Sequence, residues 1–378
     1  MRLALINGLV FTGEHWLNDH AVIIEDGVIG AVCTSANLPE KIDQKIDLQG
    51  YRLLPGLIDT QVNGGGGVLF NDAPTSATLR TMGEAHRRYG TTGFLPTLIS
   101  DDLAVVEQAI AAVRQAIVEK VPGVLGIHLE GPFLNPARKG VHNAEKFRLL
   151  DDAAFALLTS LDLGKTLITI APELTTPQMI RRLCDAGVIV AAGHSAADYA
   201  QTRSALASGL KSFTHLFNAM TPFTSRAPGM VGAALEDPDS WCGIIVDGFH
   251  VHPAALKVAV AAKAHGKMVL VSDAMPSVGA QTKSFMLNGE LIHTENGRCA
   301  TADGTLAGSD LDMLSAVRNS VNLLGLSVAD AVSMASANPA AMIGTESQLG
   351  AIRPGCNASM ILVDDNLNLL KSWIDGQE

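Results

Sequence analysis

The sequence predicts an α/β fold, a (β/α)8 TIM-like barrel with a small β-sandwich domain built from both chain termini. Two observations support this prediction. Short apolar runs alternate eight times with helical patterns between residue 55 and about residue 345, whereas both ends of the chain have the texture of short strands and turns. With 378 residues, 47% of them hydrophobic, the chain has ample material for a large core. A barrel of this kind takes about 250 residues, so the middle segment suffices.

The two ends of the chain are expected to form one small β domain. The segment AVIIEDGVIGAV places Asp26 and Gly27 between two apolar runs, which is a strong signature of a β-hairpin. The tail LGAIRPGCNASMILVDDN returns to β texture around a Pro354-Gly355 turn and is too short to be a domain, so we expect it to complete the N-terminal unit. The predicted domains are residues 1–54 plus 346–378 for the β domain and residues 55–345 for the barrel.

The middle of the chain supplies the eight strands of the barrel. Each run is short, continuously apolar and often β-branched, as expected of strands buried on both faces. The runs are PGLIDT, TGFLPTLI, VLGIHLEG, TLITIAPE, VIVAAGHS, SFTHLFN, CGIIVDG and MVLVSDA. Amphipathic segments lie between them; in DDLAVVEQAIAAVRQAIVEK the apolar residues from Val106 to Ile117 share one helical face behind an Asp pair placed as an N-cap. An open doubly wound sheet is the alternative, but no G-x-G-x-x-G or Walker loop follows the early strands.

Composition and cysteine usage argue against several classes of protein. The formal net charge of −11 disfavours binding to nucleic acid, although a local cluster can still hold one small anionic substrate. The five cysteines are scattered and contain no C-x-x-C pair, which favours reduced thiols in the cytoplasm. The segment MRLALINGLVFTG predicts a strand and turn, not a signal peptide. No stretch approaches the ~18–20 uninterrupted apolar residues of a membrane span, so we expect a soluble cytoplasmic protein with no membrane partner.

Polar residues at the ends of the eight runs predict a functional site. The carboxyl-terminal strand ends form the active-site face of such a barrel. Charged or imidazole groups are costly there unless they are paired, hydrogen-bonded or bound to metal. One such residue alone is usually structural, but several at one rim favour a functional site. They are His128, Glu130, His194, His215, Asp247, His250 and Asp273.

Glu130, His194 and His215 together match a metal site. One carboxylate and two imidazoles, with a position open to water, form the ligand set of a catalytic zinc ion. Such an ion lowers the pKa of its water to about 7 and polarises a carbonyl. Asp273 then has a role as the base that takes the proton of the water and later hands it to the leaving group. His128 shares a strand face with Glu130 and is either a further ligand or a support for Glu130.

Two other motifs carry weaker hypotheses. Ser195 follows His194 in GHSAA, but the G-x-S-x-G elbow of serine hydrolases is missing, which disfavours nucleophilic serine chemistry. The glycine run 64–67 is compatible with a phosphate-binding loop or with a flexible strand-to-helix loop. The sequence alone leaves both possibilities open for the glycines.

Several motifs, taken in order, resemble the amidohydrolase superfamily: LLPGLID, AGHS, THLFNAM and VSDA. More narrowly, HLEGPFLNPARKGVHN, APE, AAGHS, THLFNAMTP, SRAPG, GIIVDGFHV and LAGS resemble the N-acetylglucosamine-6-phosphate deacetylase family. The resemblance spans nearly the whole chain, and the combination of motifs is specific although no single motif is. It implies a hydrolase that converts N-acetylglucosamine 6-phosphate to glucosamine 6-phosphate and acetate in amino-sugar catabolism. It also implies one divalent metal per subunit, Zn before Fe, Co or Mn.

The resemblance implies roles for individual residues. The metal ligands and the general base of the family fall on the four residues identified above. His142, in KGVHN, would polarise the acetyl carbonyl and steady the oxyanion. Arg226 and His250 would bind the substrate, chiefly its phosphate, and such groups can cross a dimer interface in this family, which implies a homodimer or a dimer of dimers. The other implied substrate-binding positions are Val141, Asn218, Ala219, Ala307, Gly308 and Ser309.

The first strand departs from the wider superfamily. Many amidohydrolases carry H-x-H there and bind a second metal, whereas this sequence places Gln61 and Asn63 on one face of the strand. Carboxamides are neutral and weak ligands for zinc. The vacated second-metal position therefore predicts one metal per subunit. Some deacetylases of this family share the substitution, so the implied function is unchanged.

Two alternative functions remain open. One is another amidohydrolase acting on a different N-acyl or cyclic amide substrate, which would not depend on the 6-phosphate. The other is a non-catalytic barrel that binds a sugar phosphate as a sensor, which would not need the metal ligands and the base together. The sequence also leaves open N-acetylgalactosamine 6-phosphate as a substrate.

Overall fold

Strands and helices alternate through most of residues 2–378, which the computed structural model describes. In chain order the strands are β1 Arg2–Phe11, β2 Trp16–Glu25, β3 Val28–Thr34, β4 Gln44–Asp47, β5 Arg52–Pro55, β6 Leu57–Val62, β7 Gly64–Gly65, β8 Val68–Leu69, β9 Thr91–Ile99, β10 Gly126–Glu130, β11 Lys165–Ile170, β12 Ile189–Ala192, β13 Ser212–Phe213, β14 Trp241–Ile244, β15 Met268–Leu270, β16 Ser284–Leu287, β17 Glu290–Glu295, β18 Arg298–Ala300, β19 Leu306–Ser309, β20 Met360–Val363 and β21 Leu369–Trp373. The α-helices are α1 Ser76–Arg87, α2 Leu103–Val118, α3 Asp152–Leu158, α4 Pro177–Asp185, α5 Tyr199–Ala207, α6 Gly229–Glu236, α7 Pro253–Ala262, α8 Met313–Leu324, α9 Val328–Ala335 and α10 Ala337–Met342. None of these helices has the length and apolar character needed to cross a bilayer.

Eight parallel strands form the barrel, and each pairs with the next one along the chain. Barrel strands one to eight are β6, β9, β10, β11, β12, β13, β14 and β15. Each coincides with one of the eight apolar runs, and one of the helices α1 to α8 follows each strand, which confirms the predicted (β/α)8 barrel. Strands one and eight meet through a bridge between Val62 and Ala274 instead of a regular ladder. The backbone amide of Asp273 donates to the carbonyl of Gln61 there, at 3.0 Å. We call this contact between residues 59–63 and 272–274 the seam.

Helix α2 illustrates how the outer layer is built. Val106, Ile110 and Val113 are buried on one face, as the apolar spacing predicts. Asp102 occupies the N-cap position, as expected from the Asp pair. The predicted N-cap position is therefore confirmed, although the side chain of Asp102 makes no capping hydrogen bond and instead pairs with Lys146.

Both ends of the chain contribute to a single seven-stranded sheet beneath the barrel, which confirms the predicted small β domain. Strand β5 pairs with β20, which in turn pairs with β21. Strand β1 pairs with β4 through its first half and with β5 through its second half. The predicted hairpin joins β2 to β3, and Asp26 and Gly27 both have positive φ at its turn. Apolar side chains on the two faces fall into separate clusters. The proposed boundaries at residues 54 and 346 stay a prediction.

A four-stranded antiparallel sheet, β16 to β19, lies between barrel strand eight and helix α8 and is absent from the sequence-based prediction. Leu287, Ile292 and Ala307 on its buried face pack against Ile99 and Met275 at the barrel rim. We call residues 284–309 the insertion sheet. It closes one side of the space above the barrel and therefore helps to shape the site.

Candidate metal centre and pocket

Three side chains at the rim bring their ligand atoms to one point. Glu130 ends barrel strand three, and His194 and His215 follow strands five and six; all three side chains are buried. Nε2 of His215 lies 3.0 Å from Oε1 of Glu130, and Nε2 of His194 lies 3.3 Å from the same oxygen. The two Nε2 atoms are 3.0 Å apart. Among the described residues this is the one group of His, Cys, Asp or Glu placed to share a metal ion.

The chemistry of this donor set fits a divalent metal. Zn²⁺ binds nitrogen and oxygen at about 2.0–2.2 Å in tetrahedral geometry, which separates neighbouring ligand atoms by about 3.3 Å. The observed separations of 3.0 to 3.3 Å are close to that value. Three protein ligands leave one tetrahedral position for water or substrate, as in catalytic sites.

Glu130 is the anionic corner of this triangle. Burial by itself would raise the pKa of Glu130, but hydrogen bonds from His194 and His215 outweigh burial and hold that pKa well below its usual range. Burial also works against the charged form of His215, yet the hydrogen bond to Glu130 outweighs it and raises the pKa of His215. The arrangement therefore favours the ionised carboxylate of Glu130, with the positive charge on the imidazole of His215 facing it.

Asp273 lies at the seam, where two amides of barrel strand one hold one of its oxygens. Oδ1 of Asp273 accepts from Nδ2 of Asn63 at 2.7 Å and from Nε2 of Gln61 at 3.2 Å. Nε2 of Gln61 also lies 3.3 Å from each carboxylate oxygen of Glu130, so one amide links the two carboxylates. Burial and the negative charge of Glu130 raise the pKa of Asp273 to about 6. Oδ1 of Asn63 is buried without a hydrogen-bond partner.

The tautomer of His142 is set by Ser100, a residue that the sequence-based prediction missed. The backbone N–H of Ser100 donates to Nδ1 of His142 at 3.3 Å, and Oγ of Ser100 lies 2.8 Å from the same nitrogen. Because Nδ1 accepts, the neutral ring carries its proton on Nε2. Burial, followed by the nearby charge of His194, lowers the pKa of His142 to about 3, so the ring is neutral at pH 7.

His128 has neither of its two expected roles. It is outside the ligand group, and it makes no hydrogen bond to Glu130 among the described residues. Its Nδ1 lies 3.2 Å from Oγ1 of Thr97 and its Nε2 lies 2.8 Å from Oγ1 of Thr169. Because His128 points from strand three into the barrel interior, it joins strands two, three and four below the site.

The residues of the centre share a strained backbone. His194, His215 and Asp273 have φ of 47°, 33° and 53°, in the left-handed region that non-glycine residues rarely adopt. Such conformations are costly, and they concentrate at functional sites where surrounding contacts enforce them. Each of the three side chains thus leaves its strand end on a sharp turn toward the pocket.

A pocket of about 180 Å³ opens above the centre. Among the residues predicted from the sequence, those that line it are Asn63, Glu130, Val141, His142, His194, His215, Asn218, Ala219, His250, Asp273 and Gly308. Its remaining lining was not predicted and is mostly apolar, namely Ile99, Gly140, Met275, Leu287 and Leu306. Leu287 and Leu306 belong to the insertion sheet, so that sheet had to be recognised before they could be found.

Besides His128 and Asp247, four residues with a predicted role in the site lie outside the lining. Gln61 does not line the pocket itself, but its amide donates to Glu130 and Asp273, which do. Ala307 and Ser309 are fully buried on either side of Gly308, because alternate residues of β19 face opposite ways. Oγ of Ser309 donates instead to the carbonyl of Ser272 at the seam. The fourth is Arg226, which lies on an exposed loop.

The loop after strand seven orients His250 toward the pocket. Nδ1 of His250 lies 2.6 Å from Oδ2 of Asp247, and Oδ1 of Asp247 also accepts from the backbone amide of His250. Both side chains are almost fully buried. Asp247, which the sequence placed at a strand end, therefore acts as the anchor of His250.

The two weaker motifs do not add to the site. Oγ of Ser195 donates to Glu173, and Nδ1 of His194 lies 2.8 Å from the carbonyl of Arg138, so the two residues form no Ser–His pair. The glycine run forms the hairpin β7–β8 outside the pocket lining. The amides of Gly66 and Gly67 donate to backbone carbonyls, which makes them unavailable to a phosphate.

Comparison with known proteins agrees with the fold. The amidohydrolase family model matches residues 52–378, and the model of the NagA composite domain matches residues 3–53. The chain therefore belongs to the amidohydrolase family. The two matches together span the barrel and both the N-terminal and the C-terminal strands of the β domain.

Within that family, the chain is similar to amino-sugar 6-phosphate deacetylases. It is 42% identical to the N-acetylgalactosamine-6-phosphate deacetylase of Shewanella sp. (strain ANA-3), over 96% of this chain and 92% of that protein. It matches the structure of the N-acetylglucosamine-6-phosphate deacetylase of Pasteurella multocida with a TM-score of 0.96 and 34% identity, over 100% of this chain and 99% of the other. A Mycobacterium smegmatis deacetylase mutant in complex with N-acetyl-D-glucosamine-6-phosphate matches with a TM-score of 0.91 and 29% identity, over 100% and 98% of the two chains. The resemblance seen in the motifs is confirmed.

Proposed function

We propose that the chain hydrolyses the acetamide of N-acetylglucosamine 6-phosphate, giving glucosamine 6-phosphate and acetate in amino-sugar catabolism. Water adds its oxygen to the acetyl carbon, the bond from that carbon to nitrogen breaks, and the nitrogen leaves as an amine. The observation that carries this proposal is the convergence of a Glu-His-His donor set, a buried carboxyl and a neutral imidazole in one pocket. The deacetylase relatives support the choice of an amide substrate.

Glu130, His194 and His215 would hold the metal, for which we propose one zinc ion per chain; Fe, Co and Mn suit the same ligands. When bound, such an ion supplies Lewis acidity toward a water and toward the acetyl carbonyl. Gln61 and Asn63 hold no second ion in this proposal, because carboxamides are neutral and weak ligands for zinc, and their N–H groups face Asp273 and Glu130.

Asp273 is the proposed general base and acid. A pKa of about 6 lets the carboxylate accept a proton near neutral pH and also release it later. Because Asn63 and Gln61 hold Oδ1, the other oxygen, Oδ2, remains for proton transfer. Asp273 would take the proton of the attacking water and return it to the nitrogen as the bond to the acetyl carbon breaks.

His142 is the proposed donor to the acetyl oxygen. Ser100 fixes the ring with its proton on Nε2, and the ring stays neutral because burial lowers its pKa. A neutral N–H donor held in place before the reaction stabilises a developing oxyanion without reorganisation. The carbonyl would thus be held between His142 and the metal position.

The phosphate is proposed to meet a cation from a second copy of the chain. Among the described residues, no lysine or arginine lines the pocket, and His250 is its most suitable partner for an anion. Arg226 lies on an exposed loop together with Phe223, a residue that is 64% exposed. A homodimer, or a dimer of dimers, that buries Phe223 and brings Arg226 to the neighbouring pocket would supply the missing charge.

The mixing of subunits tests this arrangement. Arg226→Ala and Asp273→Asn subunits should each be poorly active, whereas mixed dimers should regain roughly a quarter of the native activity, because half of the dimers are mixed and each of these holds one intact site. A mixture that regains nothing, or a protein that stays monomeric in sedimentation, would contradict the shared site.

We also propose a cytoplasmic location, which the five free thiols support.

The sugar epimer is the least constrained part of the proposal. The Shewanella relative is named for the galactosamine compound and the Pasteurella structure for the glucosamine compound. We propose the glucosamine substrate as primary and expect the galactosamine epimer to be turned over as well. An amidohydrolase for a different N-acyl or cyclic amide would have no need of a phosphate site.

Acetate release tests the whole proposal. We expect purified protein containing about one metal per chain to release acetate from either hexosamine 6-phosphate. Removal of the 6-phosphate should lower kcat/KM by at least 100-fold, because the enzyme then loses a charged contact. Equal turnover of plain N-acetylglucosamine would exclude the phosphate-specific function. Tight binding of the sugar phosphate without acetate release would favour the sensor.

A further inference from the structure

Glu173 lies in the APE motif, on a short 3-10 turn at Pro172–Leu174 that follows barrel strand four. It has no part in the pocket lining, yet it gathers three hydrogen-bond donors. Oε1 accepts from Nδ2 of Asn135 at 2.9 Å and from the backbone N–H of Ala196 at 2.6 Å. Oε2 accepts from Oγ of Ser195 at 2.6 Å. One carboxylate therefore holds groups from two different loops.

Those loops flank the metal ligand His194. Asn135 follows barrel strand three, and its backbone N–H donates to the carbonyl of His194 at 2.9 Å. Ser195 and Ala196 come directly after His194 in the chain, and the side chain of Ser195 is fully buried. The bonds to Glu173 therefore fix the chain immediately after the ligand, while Asn135 holds the ligand's own carbonyl.

His194 needs such support because its backbone is strained. Its φ of 47° is unfavourable for a residue with a Cβ atom. The imidazole is itself oriented by the contact between Nδ1 and the carbonyl of Arg138, at 2.8 Å, on the loop that also carries Asn135. A small rotation of the strand-five loop would move Nε2 away from Glu130 and His215. Metal affinity depends strongly on such orientation.

We infer that Glu173 is a positioning residue for the metal centre: it joins the loops after strands three, four and five so that His194 presents Nε2 to the ion. This inference rests on the proposed metal site. It also gives a role to Ser195, whose hydroxyl serves as a donor to Glu173 and as an acceptor for the N–H of Ala197. The competing explanation is that Glu173 only anchors the loops and affects folding alone.

Zinc affinity separates the two explanations. We would measure the zinc dissociation constant of the full-length chain by competition with a chromophoric chelator, together with Tm, kcat and KM. Glu173→Ala should weaken zinc binding about 10- to 100-fold. Its kcat should fall when zinc is limiting and recover with excess zinc, with KM little changed. Glu173→Gln should rescue most of the affinity, because its carbonyl still accepts from Ala196 and its amide can donate to Ser195.

Asp198→Ala is the matched structural control. Asp198 lies four residues after His194 and caps helix α5, accepting from the N–H of Gln201 at 2.8 Å. Its removal should lower Tm while zinc affinity stays at the native value. Ser195→Ala removes one of the three bonds to Glu173 and should weaken zinc binding less than Glu173→Ala, which keeps the test available if the latter variant does not fold.

The outcomes distinguish this inference from the proposed function. If the native chain binds zinc and Glu173→Ala binds it equally tightly, Glu173 is only a loop anchor and the inference is overturned while the function stands. If the native chain binds no divalent metal, the metal site fails and the inference fails with it. A weakened affinity that appears equally in Asp198→Ala would also overturn the inference, because general destabilisation would then explain it.

Discussion

The two sides of the barrel rim differ in the kind of polar atom that they present. Strands three, five and six present lone pairs, from Glu130, His194 and His215, which converge to within about 3 Å. The seam between strands one and eight presents N–H groups, from Gln61 and Asn63, to Asp273. A side rich in acceptors attracts a cation, whereas a side rich in donors holds an anion. The difference shows how one rim can separate metal binding from proton transfer.

The two sides are joined through Gln61. Its Nε2 lies 3.2 to 3.3 Å from Asp273 and from both oxygens of Glu130, so the base and the metal ligand share a donor. Two carboxylates this close would raise each other's pKa. The amide of Gln61 reduces that repulsion without adding a charge. A neutral histidine has a single N–H, so in this place it would donate to both carboxylates only when protonated, and protonation would add a charge.

The largest expected loss of activity comes from replacing the carboxylate ligand on the metal-binding side of the rim with an amide like those of the seam. In Glu130→Gln the ligand oxygen becomes part of a neutral amide, which is a poor zinc ligand. We expect the metal content to fall to near zero and acetate release to fall to the detection limit. Elemental analysis and an acetate assay of the same preparation check this. Retention of one metal per chain would contradict the assigned ligand set.

The next effect separates the base from the metal. Asp273→Asn keeps the size of the side chain but cannot take a proton, so we expect kcat to fall by about 10³-fold, within the 10²–10⁴ range of general acid–base catalysis. Because Asp273 is not one of the three ligands, metal content should stay at one per chain. Full activity in this variant would exclude Asp273 as the base, and loss of metal would place it among the ligands.

A double variant would convert the donor side into an acceptor side. Gln61→His with Asn63→His restores the H-x-H pattern and removes the donors to Asp273. We expect metal content to rise from about one toward two per chain and kcat to fall by roughly tenfold, because Asp273 is then less well held. Gln61→Ala with Asn63→Ala is the control, since it removes the donors without adding ligands. An unchanged stoichiometry in the histidine variant would show that more than these two side chains excludes the second ion.

The smallest expected effect concerns Asp59, the first residue of the seam. Asp59 is fully buried and accepts from Ser272; burial raises the pKa of Asp59 to about 7, against an ordinary value of 3.8. The folded state thus binds this proton more tightly than the unfolded state, so the stabilising contribution is complete below about pH 4 and is lost as the pH rises through about 7. Asp59→Asn removes this dependence. Its Tm relative to the native chain should be a few degrees higher at pH 8 than at pH 5 in matched thermal scans; an equal difference at both pH values would contradict this.

The barrel and the metal-binding group could both be predicted from the sequence, because both depend on short local patterns. Each barrel strand is a continuous apolar run, and Glu130, His194 and His215 each stand at the end of such a run. In a closed barrel, neighbouring strand ends meet at one rim, so chain position alone brings these residues together.

The insertion sheet was missed although its signals are present. Asn288-Gly289 and Asn296-Gly297 lie at two of its three hairpin turns, and all four residues have positive φ, as the Asn-Gly hairpin signal predicts. Its strands have no strict alternation of apolar and polar residues, because apolar side chains such as Met286 and Leu291 occupy exposed positions next to the buried Leu287 and Ile292. The turn chemistry was a better guide than the hydrophobic pattern.

Long-range contacts could not be read from the chain. Ser100 fixes His142 from 42 residues away, and Gln61 reaches Asp273 across 212 residues. The direction of Ala307 and Ser309, away from the pocket, depends on the register of β19 against Ala274, which no single-sequence pattern encodes. The roles carried over from the family to these residues stay predictions.

The pairing of β5 with β20 has a consequence for how the chain is made. Pro55 in β5 lies opposite Met360 in β20, about 300 residues later in synthesis. At ~5–20 residues per second, this partner is translated about 15 to 60 s after β5. During that interval the strand that leads directly into the barrel has an open edge, which is a template for association with other chains. The nascent N-terminal strands are therefore expected to depend on chaperones until translation delivers the partner strand.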